Sequence, residues 1–162
     1  MCTTKPVYIP FYESDSPFSN FYQLKTPMIV DNKSFSTSEH LYMYKKAMFF
    51  EDHVTAALIP KAKSPMAAKS LGRKVAHFNE EKWKKVRKGV MYSVLLEKFS
   101  CNPELRSILI ETGDAVLVEA SPRDTTWGVG VGAALATDPK NWKGINLLGY
   151  SLMKARDHFN EC

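Results

Sequence analysis

The chain has 162 residues, 44% of them apolar and 24% charged, which is ordinary for a globular protein able to bury a core without staples. No apolar run approaches the roughly 20 residues a bilayer span needs, and the opening MCTTKPVYIPFYES lacks the basic-then-apolar order of a signal peptide. A cytoplasmic protein with no membrane partner is expected, a nuclear one being equally compatible. The net charge of +5, from 22 basic and 17 acidic residues, favours anionic ligands such as phosphates without demanding nucleic acid. Cys2, Cys101 and Cys162 are scattered, which argues against a disulfide framework.

Residues 6–12, PVYIPFY, alternate roughly and predict a short strand. SDSPFSNFY at 14–22 is polar, aromatic and broken by proline, so a loop follows. A further strand is expected near Met28 to Val30, closed by the turn residues Asp31 and Asn32. From there the chain reads as mostly helical. Ser36 and Glu39 have the spacing of a capping box ahead of Leu41, Tyr42 and Tyr44. A second helix is expected from Asp52 to Ile59, and a third from the cap Ser64 and Pro65 to about Val75. Asn79 caps a long helix in which Trp83, Val86, Val90, Val94 and Leu95 recur at helical intervals. Asn102 and Pro103 start another, apolar at 105, 108 and 109, that Gly113 ends. AVLVEAS (115–121) predicts a buried strand, PRDTTWGVGVG a loop, and residues 147–159 an amphipathic helix. The expected fold is α+β: one helix-rich domain with a small β-sheet and no internal boundary.

Three constellations carry chemistry. For Glu39, two readings are open on spacing alone. It is the acidic partner of a helix cap, a feature worth about 1 kcal/mol. Alternatively, with Met43 and Lys46 one and two turns along the same face, it points a carboxylate into a cleft walled by aromatics of 16–22 and Phe35. The second constellation pairs Lys69 with Arg73 and Trp83 with Arg87. A tryptophan beside an arginine stacks a heterocycle while the guanidinium holds a phosphate. The competing reading is a solvated basic face with Trp83 turned to the core.

The third is the loop holding Asp124, Trp127, Gly128, Gly130 and Gly132, where the backbone can approach a ligand closely. Its glycine spacing is not a dinucleotide fingerprint. Glu119, just before it, is a second candidate carboxylate or a hydrogen-bond anchor. His40, His53, His77 and His158 have no partner at ligand spacing, so no metal is expected. Neither a phosphate-binding Lys-Ser/Thr loop nor a serine elbow occurs. Cys101 reads as a structural thiol rather than a nucleophile.

In order and spacing, FSNFY (18–22), TSEHLYMYKKA (37–47), AKSLGRKV (68–75), W..VR..VM (83–91), LVEAS (117–121), D..WG.G (124–130) and N.LGY.LM..R (146–156) resemble the YbiA-like or NADAR family. The likeness runs from about Phe11 to Phe159. It implies a cofactor-free and metal-free N-glycosidase. Members are associated with hydrolysis of phosphorylated ribosylamino-pyrimidine intermediates of riboflavin biosynthesis, releasing ribose 5-phosphate. Others are associated with removal of ADP-ribose from modified guanine in nucleic acid. Carried over by motif, the catalytic glutamate is Glu39 and the pocket tryptophans are Trp83 and Trp127. Lys46, Arg73, Asp124, Asn20 and Gly128 fall on the remaining substrate-binding positions. The length of the segment after Trp127 leaves the substrate open. The expected partner is a phosphorylated ribosyl or ADP-ribosyl small molecule, with nucleic acid only under the second activity. A non-catalytic nucleotide-binding module and a nucleic-acid binder using KWKKVRK (82–88) are the readings outside catalysis.

Overall fold

The structure, a computed structural model, describes residues 4–162; Cys2 lies outside the described residues. In chain order the elements are β1 (Tyr8–Phe11), β2 (Met28–Val30), β3 (Lys33–Phe35), α1 (Ser38–Phe49), α2 (His53–Leu58), α3 (Pro65–Gly72), α4 (Glu80–Cys101), α5 (Pro103–Glu111), β4 (Val116–Glu119), α6 (Ala133–Ala136) and α7 (Leu147–Glu161). Single 3₁₀ turns occupy Ile59–Lys61 and Pro139–Asn141. The helix-rich α+β character matches the sequence expectation. The backbone divides into two compact units, Asn20–Pro103 and the chain up to Ser19 with Glu104–Cys162.

In the Asn20–Pro103 unit, β2 and β3 form an antiparallel hairpin with Met28 opposite Phe35, both fully buried. Asp31 and Asn32 both have positive φ (52° and 58°), the pair of left-handed residues that a two-residue turn between twisted strands requires. The expected strand at 28–30 therefore has a partner, β3, that was too short and polar to read. Helix α1 is the centre of this unit: every residue from Ser38 to Tyr44 is buried. Ser64 and Asn79 cap α3 and α4 as expected, each accepting the amide of the third residue on, at 3.0 Å. Asp52 does the same for α2, through Thr55 at 3.0 Å. Along α4, Trp83, Met91, Val94, Leu95, Lys98 and Phe99 are buried while Lys82, Lys84, Lys85 and Lys88 face solvent. At its end, Asn102 spends its side chain on both backbone groups of Thr26 (3.0 and 3.3 Å) and on the Lys98 carbonyl.

In the other unit, β1 pairs with β4 in parallel, Tyr8 to Phe11 against Val116 to Glu119. Leu117 and Val118 are both fully buried, which explains the unbroken apolar run there. Asn146, buried and left-handed (φ 53°), acts as a short extra strand rung. Its amide donates to the Leu117 carbonyl and its oxygen accepts from the Glu119 N–H, at 2.9 and 3.0 Å. A Cβ on Gly149 would overlap the Leu117 carbonyl oxygen, so α7 lies hard against β4. Arg156, one helix face on, donates to Thr112 Oγ1 and the Ala115 carbonyl, both at 2.8 Å. The N.LGY.LM..R motif is thus the stitching of α7 to the strand. Ile108, unlike Leu105 and Leu109, is 40% exposed. In the Asn20–Pro103 unit, burial, with Glu97 adding to it, pushes the half-buried Cys101 thiol up, away from nucleophile chemistry.

Candidate functional site

Glu39 opens the site, and its helix is capped differently from expectation. The cap is Thr37, in extended backbone (φ −141°, ψ 160°), whose hydroxyl accepts the His40 amide at 3.2 Å. Ser36 stands one residue too early, so the Ser36–Glu39 capping box does not form, and Glu39 is the second helical residue rather than the third. Thr37 Oγ1 also lies 2.7 Å from His40 Nδ1, and His40 Nε2 lies 3.0 Å from the Ala62 carbonyl. A carbonyl only accepts, so Nε2 carries the proton and Nδ1 takes the Thr37 hydroxyl proton. His40 is a buried strut of α1.

Glu39 itself is 6% exposed. Its backbone N–H donates to the Asn20 carbonyl at 3.0 Å, which fixes the first turn from outside the helix. The Asn20 amide reaches the Met91 sulfur (3.7 Å), while Asn20 Oδ1 and the neighbouring Ser38 Oγ are buried. Two turns along α1, Lys46 is half-buried. Burial lowers the pKa of its ammonium; the Glu39 carboxylate acts to raise it, and Arg73 to lower it further. Glu39, Lys46 and Arg73 are therefore one electrostatic group. Lys46 Nζ donates to the Gly72 carbonyl at 2.9 Å and lies 4.6 Å from the centre of the Phe78 ring. Arg73 caps the end of α3 and is exposed. Lys69 lies over the Phe21 ring at 5.9 Å.

Trp83 is 6% exposed and packs between Tyr42, Phe49 and Phe50, with ring centroids 5.6, 5.8 and 6.0 Å away. Its indole belongs to the aromatic core at the far end of α1, and Arg87 remains half-exposed.

In the other unit, Asp124, Trp127 and Gly128 are gathered in one tight loop. Asp124 Oδ1 accepts the amides of Thr126 (2.9 Å) and Trp127 (2.8 Å), so its carboxylate shapes the turn that presents Trp127. Gly128 is packed against the Asp124 and Glu119 carbonyls, each 2.9 Å from where a Cβ would stand. The loop is laced to residues 143–148 by backbone bonds, among them Ile145 to Thr125 (3.0 Å) and Leu148 to Trp127 (3.1 Å). Residues that sequence patterns did not single out are Thr37, Gly72 and Phe78. Each acts through contacts distant in the chain, apart from the Thr37 cap, which was legible but masked by neighbouring serines.

Among the described residues, no group of three or more His, Cys, Asp or Glu side chains could hold a metal, and no helix is long and apolar enough to cross a membrane. What the Asn20–Pro103 unit assembles is a buried carboxylate, whose own backbone N–H is tied to the Asn20 carbonyl, in electrostatic reach of Lys46, which in turn feels Arg73.

The NADAR domain family model matches residues 10–160. Protein irg-1 of Caenorhabditis elegans is 38% identical over 93% of this chain and 79% of its own length. N-glycosidase R617 of Acanthamoeba polyphaga mimivirus is 36% identical, over 86% of this chain and 85% of its own. N-glycosidase YbiA of Escherichia coli K12 is 34% identical, over 92% and 86%. The NMR structure of E. coli YbiA superimposes with a TM-score of 0.78 at 33% identity, covering 98% of this chain and 88% of that one.

Proposed function

The chain belongs to the NADAR domain family, and from that membership we propose that it hydrolyses the bond between a ribose anomeric carbon and a heterocycle nitrogen, with Glu39 as the essential carboxylate. The reaction class, hydrolysis of N-glycosyl bonds, is the one its relatives' names carry. The finer reading is that the substrate is a phosphorylated ribosylamino-pyrimidine and the sugar product ribose 5-phosphate. As the glycosidic bond breaks, positive charge grows on the anomeric carbon; a carboxylate beside it stabilises that charge or deprotonates the attacking water. Water oxygen ends on the sugar carbon and its proton balance on the departing nitrogen. The exposed guanidinium of Arg73 is the hand for the phosphate.

The observation that carries this reading is the group Glu39, Lys46 and Arg73. The Glu39 carboxylate is 6% exposed and interacts with the Lys46 ammonium, and the exposed Arg73 suits an anionic substrate. The experiment offers the purified protein a ribosylaminopyrimidine phosphate and, separately, DNA bearing ADP-ribosylated guanine. Free ribose 5-phosphate from the first supports the proposal. Release of ADP-ribose from the second alone replaces the substrate, and tight binding without release of either sugar makes the domain a binding module.

A further inference from the structure

Lys46 falls on a substrate-binding position of the family motif, yet its ammonium is already engaged within the protein. Gly72 is the last residue of α3, so its carbonyl is among those a helix end leaves without an intrahelical donor. Lys46 Nζ donates to it at 2.9 Å, placing a cation at the negative end of that helix. The same ammonium lies 4.6 Å from the Phe78 ring centre, on the segment that follows Arg73. One turn back on α1, the Met43 sulfur fills the space a Cβ on Gly72 would occupy. The face of α1 that carries Glu39 thus grips the end of α3 at two points, immediately before Arg73.

We infer that Lys46 is a positioning residue: through the Gly72 carbonyl and the Phe78 ring it fixes Arg73 relative to Glu39, and it does not hold the substrate's phosphate. The inference rests on the N-glycosidase reading for its catalytic consequence and on the geometry alone for its structural one. Misplacing a binding group by about an ångström costs on the order of 100-fold in rate.

The test compares Lys46→Met, which keeps length and loses the donor and charge, with Lys46→Arg, which keeps both. The first readout needs no substrate. Backbone amide NMR shifts of residues 72–78 move in Lys46→Met and return toward wild type in Lys46→Arg. Unmoved shifts in Lys46→Met overturn the inference. The second readout measures kcat and KM on a ribosylaminopyrimidine with and without its 5′-phosphate. A positioning role lowers kcat roughly 10- to 100-fold on both. A loss confined to KM on the phosphorylated form makes Lys46 a phosphate ligand and overturns it. If wild-type protein releases sugar from neither compound, the reaction reading fails, and the NMR readout still decides the role of Lys46. Circular dichroism on each variant separates these effects from unfolding.

Discussion

The backbone N–H of Glu39 donates to the carbonyl of Asn20, 3.0 Å away, tying the first turn of α1 to the segment before the β2–β3 hairpin. Thr37 is the residue that caps the helix, and Glu39, in its first turn, is almost completely buried. Leaving a carboxylate buried is expensive unless a charge partner compensates, and Lys46 is one.

Glu39→Gln keeps the shape and the backbone bond and removes the charge. The expected outcome is a melting temperature close to wild type and turnover lower by roughly 10²- to 10⁴-fold, the contribution of one general base. Thermal unfolding followed by a sugar-release assay measures both. A variant that melts normally and keeps its rate would remove Glu39 from the chemistry.

Thr37→Val inverts that pattern. It deletes the cap, worth about 1 kcal/mol, and strips the buried His40 Nδ1 of its 2.7 Å partner, which costs about 1–3 kcal/mol more. A lower urea midpoint with an unchanged m-value is expected. Catalysis per folded molecule should fall far less than in Glu39→Gln, because the carboxylate remains.

These two residues also mark where reading the sequence stops. Ser64 and Asn79 were legible as caps because each stands alone before an apolar-periodic run. Ser36, Thr37 and Ser38 are consecutive and chemically equivalent, and only the extended backbone of Thr37 selects among them. The Asp31-Asn32 turn was legible because few residues tolerate positive φ, whereas β3 has three residues and α6 four, too few to show a period. Glu39, Lys46 and Arg73 were each visible as chemistry-bearing positions. The Glu39–Lys46 pairing was legible from their shared helix face, but the link to Arg73 was not, since it depends on Met43 meeting Gly72, two positions 29 apart in the chain. Trp83 shows the opposite case: a heptad-like position beside basic residues reads equally as stacking surface or core, and tertiary packing against Tyr42, Phe49 and Phe50 decides for burial.

Asp124→Ala removes two amide bonds from one turn, those to Thr126 and Trp127 at 2.9 and 2.8 Å. The cost expected is about 1–3 kcal/mol. Because the backbone lacing to residues 143–148 persists, the loss should be local: hydrogen exchange accelerates at Thr126 and Trp127 and stays slow at Leu117 and Val118. Uniform acceleration across β4 would mean that the turn is a cornerstone of the whole unit.

Gly149→Ala tests the contact between α7 and β4. The added methyl overlaps the Leu117 carbonyl oxygen, and neither backbone can yield as a side-chain end would. Overpacking of this kind costs about 1–3 kcal/mol, against the slight gain alanine normally brings inside a helix. A stabilised variant would show that α7 stands off the strand.

Lys98 gives the stability a defined pH dependence. Fully buried on α4 and within 5.2 Å of the Phe99 ring centre, its ammonium is lowered by burial to about 7, while the unfolded chain keeps a lysine near its ordinary value of about 10.4. Below pH 7 both states are protonated, and the burial cost is present in full. Between about 7 and 10 the unfolded chain binds a proton that the native chain has released, so stability rises with pH. The difference in unfolding free energy between wild type and Lys98→Met should therefore shift in favour of wild type across that window, at up to about 1.4 kcal/mol per pH unit. Urea titrations at four pH values measure it, and comparison with the variant cancels every other titrating group. A difference that stays flat from pH 7 to 10 would mean that Lys98 keeps its proton inside the fold, its charge balanced there by groups that outweigh desolvation.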